Sequence, residues 1–279
     1  MKREHYEGGR SEKEQAMEKI SRYAEVDLEK SGNMPIDPRG FVELYRTDFD
    51  PKDVNVSFPG AENRERKALH DMLAATSELN LSFGNAFVRN TSNYDKSRNH
   101  VDLVAEYPEG ENDSSYLGVE VAGGGDMSRK FADILEGIGR GQLADVKYFH
   151  SNETDKKLKL GNIPRVLVAA DMDTIYGAGS DLLDGDTTGR DYADHYLHYE
   201  TLVEAEMQLS AFAKHARKMG RVDIAKTLDE MHAKIAEALN EKIERSGEIP
   251  QKDLEKDRAF MQLRDTLALE LSRVEKGAS

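Results

Sequence analysis

The chain has 279 residues, of which 38% are hydrophobic and 33% are charged; this composition is typical of a globular protein, and no stretch approaches the roughly 20 apolar residues of a membrane helix. Cysteine is absent, which excludes disulfides, thiolate metal sites and cysteine nucleophiles and favours a cytoplasmic location. The net charge of −14 argues against broad, sequence-independent binding to nucleic acid, although it allows a local basic rim around an acidic site.

Residues 1–60 are predicted to form an extension that precedes the main fold. No apolar segment follows Met1, so a secretory signal is not expected. Residues 11–30 have the apolar spacing of an amphipathic helix. The rest of the extension is rich in proline and glycine, which indicates loops with short extended pieces.

Residues 61–171 have the pattern of an α/β core. Apolar residues at helical spacing indicate two helices, and short runs bounded by turn-forming residues indicate three strands. A continuous apolar run near the end is typical of a strand buried on both faces. In chain order, the predicted elements are a helix at 61–80, strands at 81–89, 100–107 and 116–122, a helix at 129–150 and a strand at 163–170.

The remaining part is predicted to be a loop followed by helices. Residues 172–191 are rich in aspartate and glycine and are predicted to form a solvated linker. Residues 192–279 are predicted to form a helical unit, long enough to pack as a three-helix bundle or to form a homodimer. Its helices are expected at about 192–219, 222–246 and 251–275.

Two carboxylates lie in consecutive predicted strands, Asp102 in one and Glu120 in the next. One or two protein carboxylates, with waters and a substrate phosphate, can complete the oxygen shell of Mg²⁺, and Mn²⁺ accepts similar ligands. Glu65, on the inward stripe of the first predicted helix, is a third candidate ligand, although a solvent-facing helix end explains it equally well. Ordinary polar positions on solvated strand faces remain the alternative for Asp102 and Glu120. Because strand side chains alternate, Ala122 is expected on the same side as Glu120.

Residues 61–171 resemble the restriction-endonuclease-like fold of the PD-(D/E)XK nuclease superfamily. The resemblance rests on the element order, on Asp102, on the sequence GVEVA at 118–122, and on the following helix with Gln142 and Tyr148. It implies a magnesium- or manganese-dependent deoxyribonuclease in which Asp102 and Glu120 bind the metal and Gln142 orients the site. DNA is then the expected partner.

The lysine that the superfamily carries two residues after its second acidic residue falls at Ala122. Such a lysine would position the attacking water and offset negative charge in the transition state. Three explanations remain open. A basic residue from elsewhere reaches the site, with Lys130 or Arg129 at the start of the next helix as the candidates. Alternatively, the fold has kept binding and lost catalysis, or a lysine was removed deliberately to trap a complex.

Other side chains also leave alternatives open. Gln142 interrupts the apolar stripe of its predicted helix, where a buried amide could brace the metal ligands or satisfy backbone groups. Tyr148 is more typical of core packing. A helical di-iron protein is a distant alternative, because acidic residues and histidines occur on two successive helices but the Glu-x-x-His spacing is absent. Its candidate residues are Glu204, Glu206, His215, Asp229 and His232.

Overall fold

The computed structural model describes residues 69–70, 73, 83–110, 113–122, 126–151, 153–184, 195–247 and 254–277. The predicted extension at 1–60 and the candidate ligand Glu65 lie outside these residues. Of the helix predicted at 61–80, Leu69, His70 and Leu73 are described; they are helical, and both leucines are buried.

A small mixed sheet forms the centre of the structure, as the sequence predicts. Its strands are β1 (Phe87–Asn90), β2 (Leu103–Gly110), β3 (Asp113–Val121) and β6 (Arg165–Val168), and they lie in the order β1-β2-β3-β6. β1 and β3 run antiparallel to β2, and β6 runs parallel to β3. A separate antiparallel hairpin consists of β4 (Ala144–His150) and β5 (Lys157–Ile163).

Besides the helical residues Leu69, His70 and Leu73, the described part of the chain contains five α-helices. They are α1 (Met127–Arg140), α2 (Met172–Asp184), α3 (Tyr196–Lys218), α4 (Val222–Ser246) and α5 (Arg258–Gly277). α3, α4 and α5 make up the C-terminal helical region that the sequence predicts. Within the described ranges, none of the helices combines the length and the apolar character needed to cross a bilayer.

The two faces of the sheet have different partners. Odd-numbered positions such as Leu103, Leu117 and Val119 belong to a hydrophobic cluster that also contains residues from all five helices. On the other face, Val104 packs against the β4–β5 hairpin. Gly118 lies on that side too, because a Cβ built on it would contact Val101 and Ile163. Since side chains alternate along a strand, Glu120 projects toward the side of the hairpin.

The helix predicted at 129–150 is wrong in its second half. α1 ends at Arg140, because Gly141 adopts a left-handed conformation (φ 80°) that an L-residue rarely takes. The Gly141 N–H donates to Ile138 O and the Gln142 N–H donates to Gly137 O, which together form a Schellman cap. Val146 and Phe149 have the spacing of a helix, but they belong to the strand β4, where both side chains are buried. The pairing of β4 with β5 shifts its register at two places.

The loop predicted at 172–191 is wrong over its first part, where α2 forms. Asp171 starts this helix, because its Oδ1 accepts hydrogen bonds from the Asp173 and Thr174 N–H groups, each at 3.0 Å. Ile175 and Ala178 then face the main hydrophobic cluster. Asp171, whose surroundings in the sequence indicate a loop, is therefore the N-terminal cap of α2.

α3 covers the outer edge of β6, the last strand of the sheet. The Gln208 side chain pairs with both backbone groups of Leu167: its Oε1 accepts the N–H at 2.8 Å and its Nε2 donates to the carbonyl at 2.6 Å. One turn earlier, Glu204 Oε2 accepts the Ala169 N–H at 3.1 Å. Two side chains of one helix thus satisfy edge groups that another strand would otherwise occupy.

Candidate functional site

Glu120 is the centre of a buried charged cluster at the end of β3. Its side chain is only 1% exposed, and Lys130 Nζ lies 3.0 Å from its Oε1 while Arg165 Nη1 lies 3.6 Å from its Oε2. His100 Nδ1 is 3.9 Å from Oε1. Neither Glu120 oxygen accepts a hydrogen bond of acceptable geometry from the described residues, although Lys130 is within ion-pair distance. The carboxylate therefore keeps acceptor capacity for a further cation or donor.

Lys130 reaches Glu120 from the first turn of α1. Its ammonium is buried, donates to the Val121 carbonyl at 3.2 Å, and lies 3.5 Å from Asp126 Oδ2. Arg129, the other candidate for a relocated basic residue, is 60% exposed and pairs with Asp126 and Asp133 instead. Of the two candidates, the structure brings Lys130 to the carboxylate.

Asp102 lies at the start of β2, beside the end of β3. Its Oδ2 accepts the Val121 N–H at 2.8 Å, and its own N–H donates to Val119 O at 2.8 Å. The Asp102 carboxylate is thus held against the residue that follows Glu120. Within the described ranges, no group of three or more histidine, aspartate or glutamate side chains is arranged to hold a metal ion.

Arg165 and His100 are site residues that the sequence analysis did not identify. Arg165 opens β6, and its Nη1 donates to the carbonyls of Asn99 (3.0 Å) and His100 (3.4 Å) as well as lying near Glu120. His100 follows a π-helical turn, Asp95–Asn99, and has a left-handed backbone with φ 56°. Arg165 could have been found from the sequence, because it is a cation at the start of an apolar run. No pattern of neighbouring residues predicts the left-handed backbone of His100.

The turn before His100 is held by the buried carboxylate of Asp95. This side chain accepts hydrogen bonds from Ser92 Oγ and Asn99 Nδ2 within the turn, and from the Lys147 and Tyr148 N–H groups of β4 at 2.7 and 3.1 Å. Burial raises the pKa of Asp95, although the four donors oppose that shift. Asp95 therefore attaches the π-helical turn before His100 to the β4–β5 hairpin.

Gln142 does not have the position predicted for it. It lies after α1 instead of on its buried face, its side chain is exposed, and its backbone N–H completes the helix cap. Tyr148 is buried on β4, edge-on to Tyr94 with ring centroids 5.7 Å apart, in agreement with the core-packing interpretation.

The candidate di-iron residues face different partners and do not converge in the described structure. The contacts are Glu206 with His232, Asp229 with Arg217, Glu204 with the Ala169 amide and His215 with the Leu135 carbonyl. The Glu206–His232 pair is partly exposed, at 34% and 30% of the side chains. Each residue has an ordinary structural contact.

A second group of buried acids lies where α2 and α5 begin. The carboxylate of Asp257, which caps α5, accepts the Asp171 N–H at 2.9 Å, and Asp171 Oδ2 accepts the Arg258 N–H at 3.2 Å. Glu200 of α3 has both oxygens buried with no hydrogen-bond partner among the described residues. Burial, reinforced by the nearby charges of Glu204, Asp257 and Asp171, raises the pKa of Glu200 well above its usual value. Burial likewise raises the pKa of Glu204 well above its usual value.

Comparisons of the chain with models of protein families, with curated proteins and with solved structures found no significant match.

Proposed function

We propose that this chain is a metal-dependent nuclease with a restriction-endonuclease-like core, acting on the phosphodiester bonds of DNA with Mg²⁺ or Mn²⁺. The observation that carries the proposal is the distance of 3.0 Å between Lys130 Nζ and Glu120 Oε1. A lysine ammonium and the carboxylate that we propose as a metal ligand thus meet at the end of β3, although the lysine comes from a helix. This arrangement supports the explanation in which the basic function has moved from position 122 to position 130.

The topology of the sheet also supports the proposal. β1, β2 and β3 form an antiparallel meander, and α1 lies in the connection that leads to β6, parallel to β3. The same order of three strands, a helix and a further strand carried the sequence resemblance. The β4–β5 hairpin is an insertion between α1 and β6.

Asp102 and Glu120 would hold the metal, since hard cations prefer carboxylate oxygens and the Glu120 oxygens have unused acceptor capacity. When bound, the metal would neutralise developing charge and lower the pKa of a water. Lys130 would contribute a positive charge beside the scissile phosphate and orient the attacking water through its N–H groups. Arg165 would hold Glu120 in place from the other oxygen.

A second candidate function is a non-catalytic member of the fold that binds nucleic acid or a protein. The observation that favours it is the compensation of Glu120 by Lys130 and Arg165, because a carboxylate paired with two cations is stable without a metal. Metal binding separates the two candidates.

The test is calorimetric titration of Mg²⁺ and Mn²⁺ into the wild type, Asp102→Asn and Glu120→Gln, with cleavage of circular and linear DNA measured alongside. We expect each variant to weaken metal binding by at least about tenfold, because even loss of a partner outside the metal shell costs about 10–100-fold. Glu106→Gln is the matched control: Glu106 is buried on the same strand pair, but it bonds to Ser151.

A wild type that binds metal and cleaves DNA, with both activities lost in the two site variants and kept in the control, would support the nuclease. A wild type that binds neither metal ion leaves only the non-catalytic candidate. Equal metal binding by all four proteins would place the metal elsewhere and contradict the assignment of Asp102 and Glu120.

A further inference from the structure

We propose that Lys130 is a resident counter-cation of the site, which a divalent metal displaces from Glu120, and that Asp126 receives the displaced ammonium. This inference rests on the proposed metal site and describes how that site is regulated. It predicts that Lys130 opposes metal binding even though it assists cleavage.

Lys130 occupies the place of a cation on Glu120. Its ammonium is 3.0 Å from Glu120 Oε1 and 3.2 Å from the Val121 carbonyl, and it is almost completely buried. A metal ion bound through the same carboxylate would meet a positive charge in a region with little solvent to screen it. The two cations therefore compete for one carboxylate oxygen.

A carboxylate that can receive the displaced ammonium lies close to Lys130. Asp126 lies directly before α1, and its Oδ2 is 3.5 Å from Lys130 Nζ, too far for a strong hydrogen bond but close enough that a small rotation would shorten it. Its Oδ1 is buried and accepts no hydrogen bond from the described residues. Asp126 thus has capacity for the ammonium, although its Oδ2 also lies 3.5 Å from the exposed guanidinium of Arg129.

The negative charge of Glu120 remains compensated by Arg165 when Lys130 leaves. Arg165 approaches the opposite oxygen at 3.6 Å and is itself tied to two backbone carbonyls. Arg165 therefore stays in place, and it lowers the cost of removing the ammonium. Lys130 has an alternative carboxylate nearby, whereas Arg165 is fixed, which makes Lys130 the cation that moves.

The test compares metal affinity in three variants by calorimetry. Lys130→Met removes the competing charge while keeping a side chain of similar length, and we expect Mg²⁺ and Mn²⁺ to bind about tenfold more tightly or better. Asp126→Asn removes the receiving charge, and we expect binding to weaken about two- to fivefold, as for other partly exposed charge pairs. Asp133→Asn is the matched control, because this acid also pairs with Arg129 but is not in contact with Lys130.

A second measurement follows Lys130 directly. The ¹⁵Nζ resonance of Lys130, assigned from its disappearance in Lys130→Met, should shift on addition of diamagnetic Mg²⁺ in the wild type, and the shift should be smaller in Asp126→Asn. DNA cleavage by Lys130→Met should fall while its metal affinity rises. A purely structural lysine would not move affinity and cleavage in opposite directions.

Thermal unfolding establishes that each variant is folded before the titrations are interpreted. If folded Lys130→Met binds metal no more tightly than the wild type, the competition is refuted while the nuclease proposal stands. If Lys130→Met does not fold, Asp126→Asn decides, and unchanged affinity in that variant refutes the inference. Absence of metal binding in the wild type and in every variant would overturn the proposed function together with this inference.

Discussion

Ala122 occupies the position, directly after the last residue of β3, at which the family resemblance implies a lysine. Strand alternation places it beside Glu120, but β3 ends at Val121, and Ala122 is 3% exposed within the main hydrophobic cluster. The alternation rule does not extend past the last paired residue of a strand. A lysine at this position would therefore have to bury its ammonium among apolar side chains.

We accordingly predict that Ala122→Lys destabilises the protein by about 2–4 kcal/mol instead of restoring a catalytic lysine, because a buried charge without a partner is costly. Urea denaturation measures the change in the free energy of unfolding. Ala122→Met is the control, since it adds similar length without charge and separates overpacking from charge burial. A stable Ala122→Lys protein with increased DNA cleavage would contradict this prediction and the relocation to Lys130.

Local spacing identified Asp102 and Glu120 as candidates because each lies in a predicted strand, and Lys130 was added because the resemblance implies a lysine that Ala122 does not provide. The same reasoning missed Arg165 and His100. Their roles depend on the end of β6 meeting the π-helical turn, a contact between positions about 65 residues apart in the chain. Such contacts have no signature in a window of neighbouring residues.

At the scale of elements, the long C-terminal helices could be predicted because their apolar periodicity continues over many turns. α1 was predicted too long, because three closely spaced glycines did not by themselves reveal which one ends the helix. Only Gly141 takes the left-handed cap, and Gly137 and Gly139 lie inside α1. In the β4–β5 hairpin that follows, the register shifts allow Val146 and Phe149, three residues apart, to be buried in the same cluster.

The contact between α3 and β6 is the element-scale feature with the clearest energetic consequence. We predict that Gln208→Ala lowers the free energy of unfolding by about 2–4 kcal/mol, because it leaves the Leu167 N–H and carbonyl buried without partners. Amide hydrogen exchange at Leu167, followed by NMR, should accelerate more than exchange at Val119 in the middle of the sheet. Gln262→Ala, at an exposed position of α5, is the control.

An equal loss of stability in the two glutamine variants would show that the edge contact contributes nothing specific. Unchanged exchange at Leu167 would lead to the same conclusion.

For the whole molecule, the sheet and the C-terminal helices share one hydrophobic cluster that extends from Leu69 to Leu267. α5 is also tied to α1, where Ser128 Oγ donates to Glu270 Oε1 at 2.5 Å. These contacts connect the two regions that the sequence analysis separates as a core and a helical unit. A homodimer through the helices stays a prediction, and Leu263 and Leu267 are already buried within the chain.

The pH dependence of stability is a property of the whole molecule to which two buried acids on α3, Glu200 and Glu204, contribute. The folded-state pKa values of Glu200 and Glu204 lie above the unfolded value of about 4.5. The folded protein therefore retains protons that the unfolded chain has released. Stability from these groups is complete below that unfolded value and is lost as the pH rises toward the folded pKa values, by up to about 1.4 kcal/mol per pH unit for each retained proton.

We predict that Glu200→Gln flattens this decline, because glutamine has a similar shape and no proton to release. Urea denaturation at a series of pH values from 5 to 9 gives the slope for each protein. Glu230→Gln on α4 is the control, because Glu230 is 62% exposed and forms only a surface pair with Lys226. Parallel slopes for the wild type and Glu200→Gln would mean that Glu200 is ionised in the folded protein.

The contact between the Gln208 side chain and β6 also affects aggregation. An open sheet edge is a template on which a second chain can add a strand, and this is a common beginning of aggregation. By accepting from the Leu167 N–H and donating to the Leu167 carbonyl, Gln208 takes the place of such a strand without offering a new edge. Growth of the sheet beyond β6 is thereby blocked, and self-association of the folded protein must use another surface.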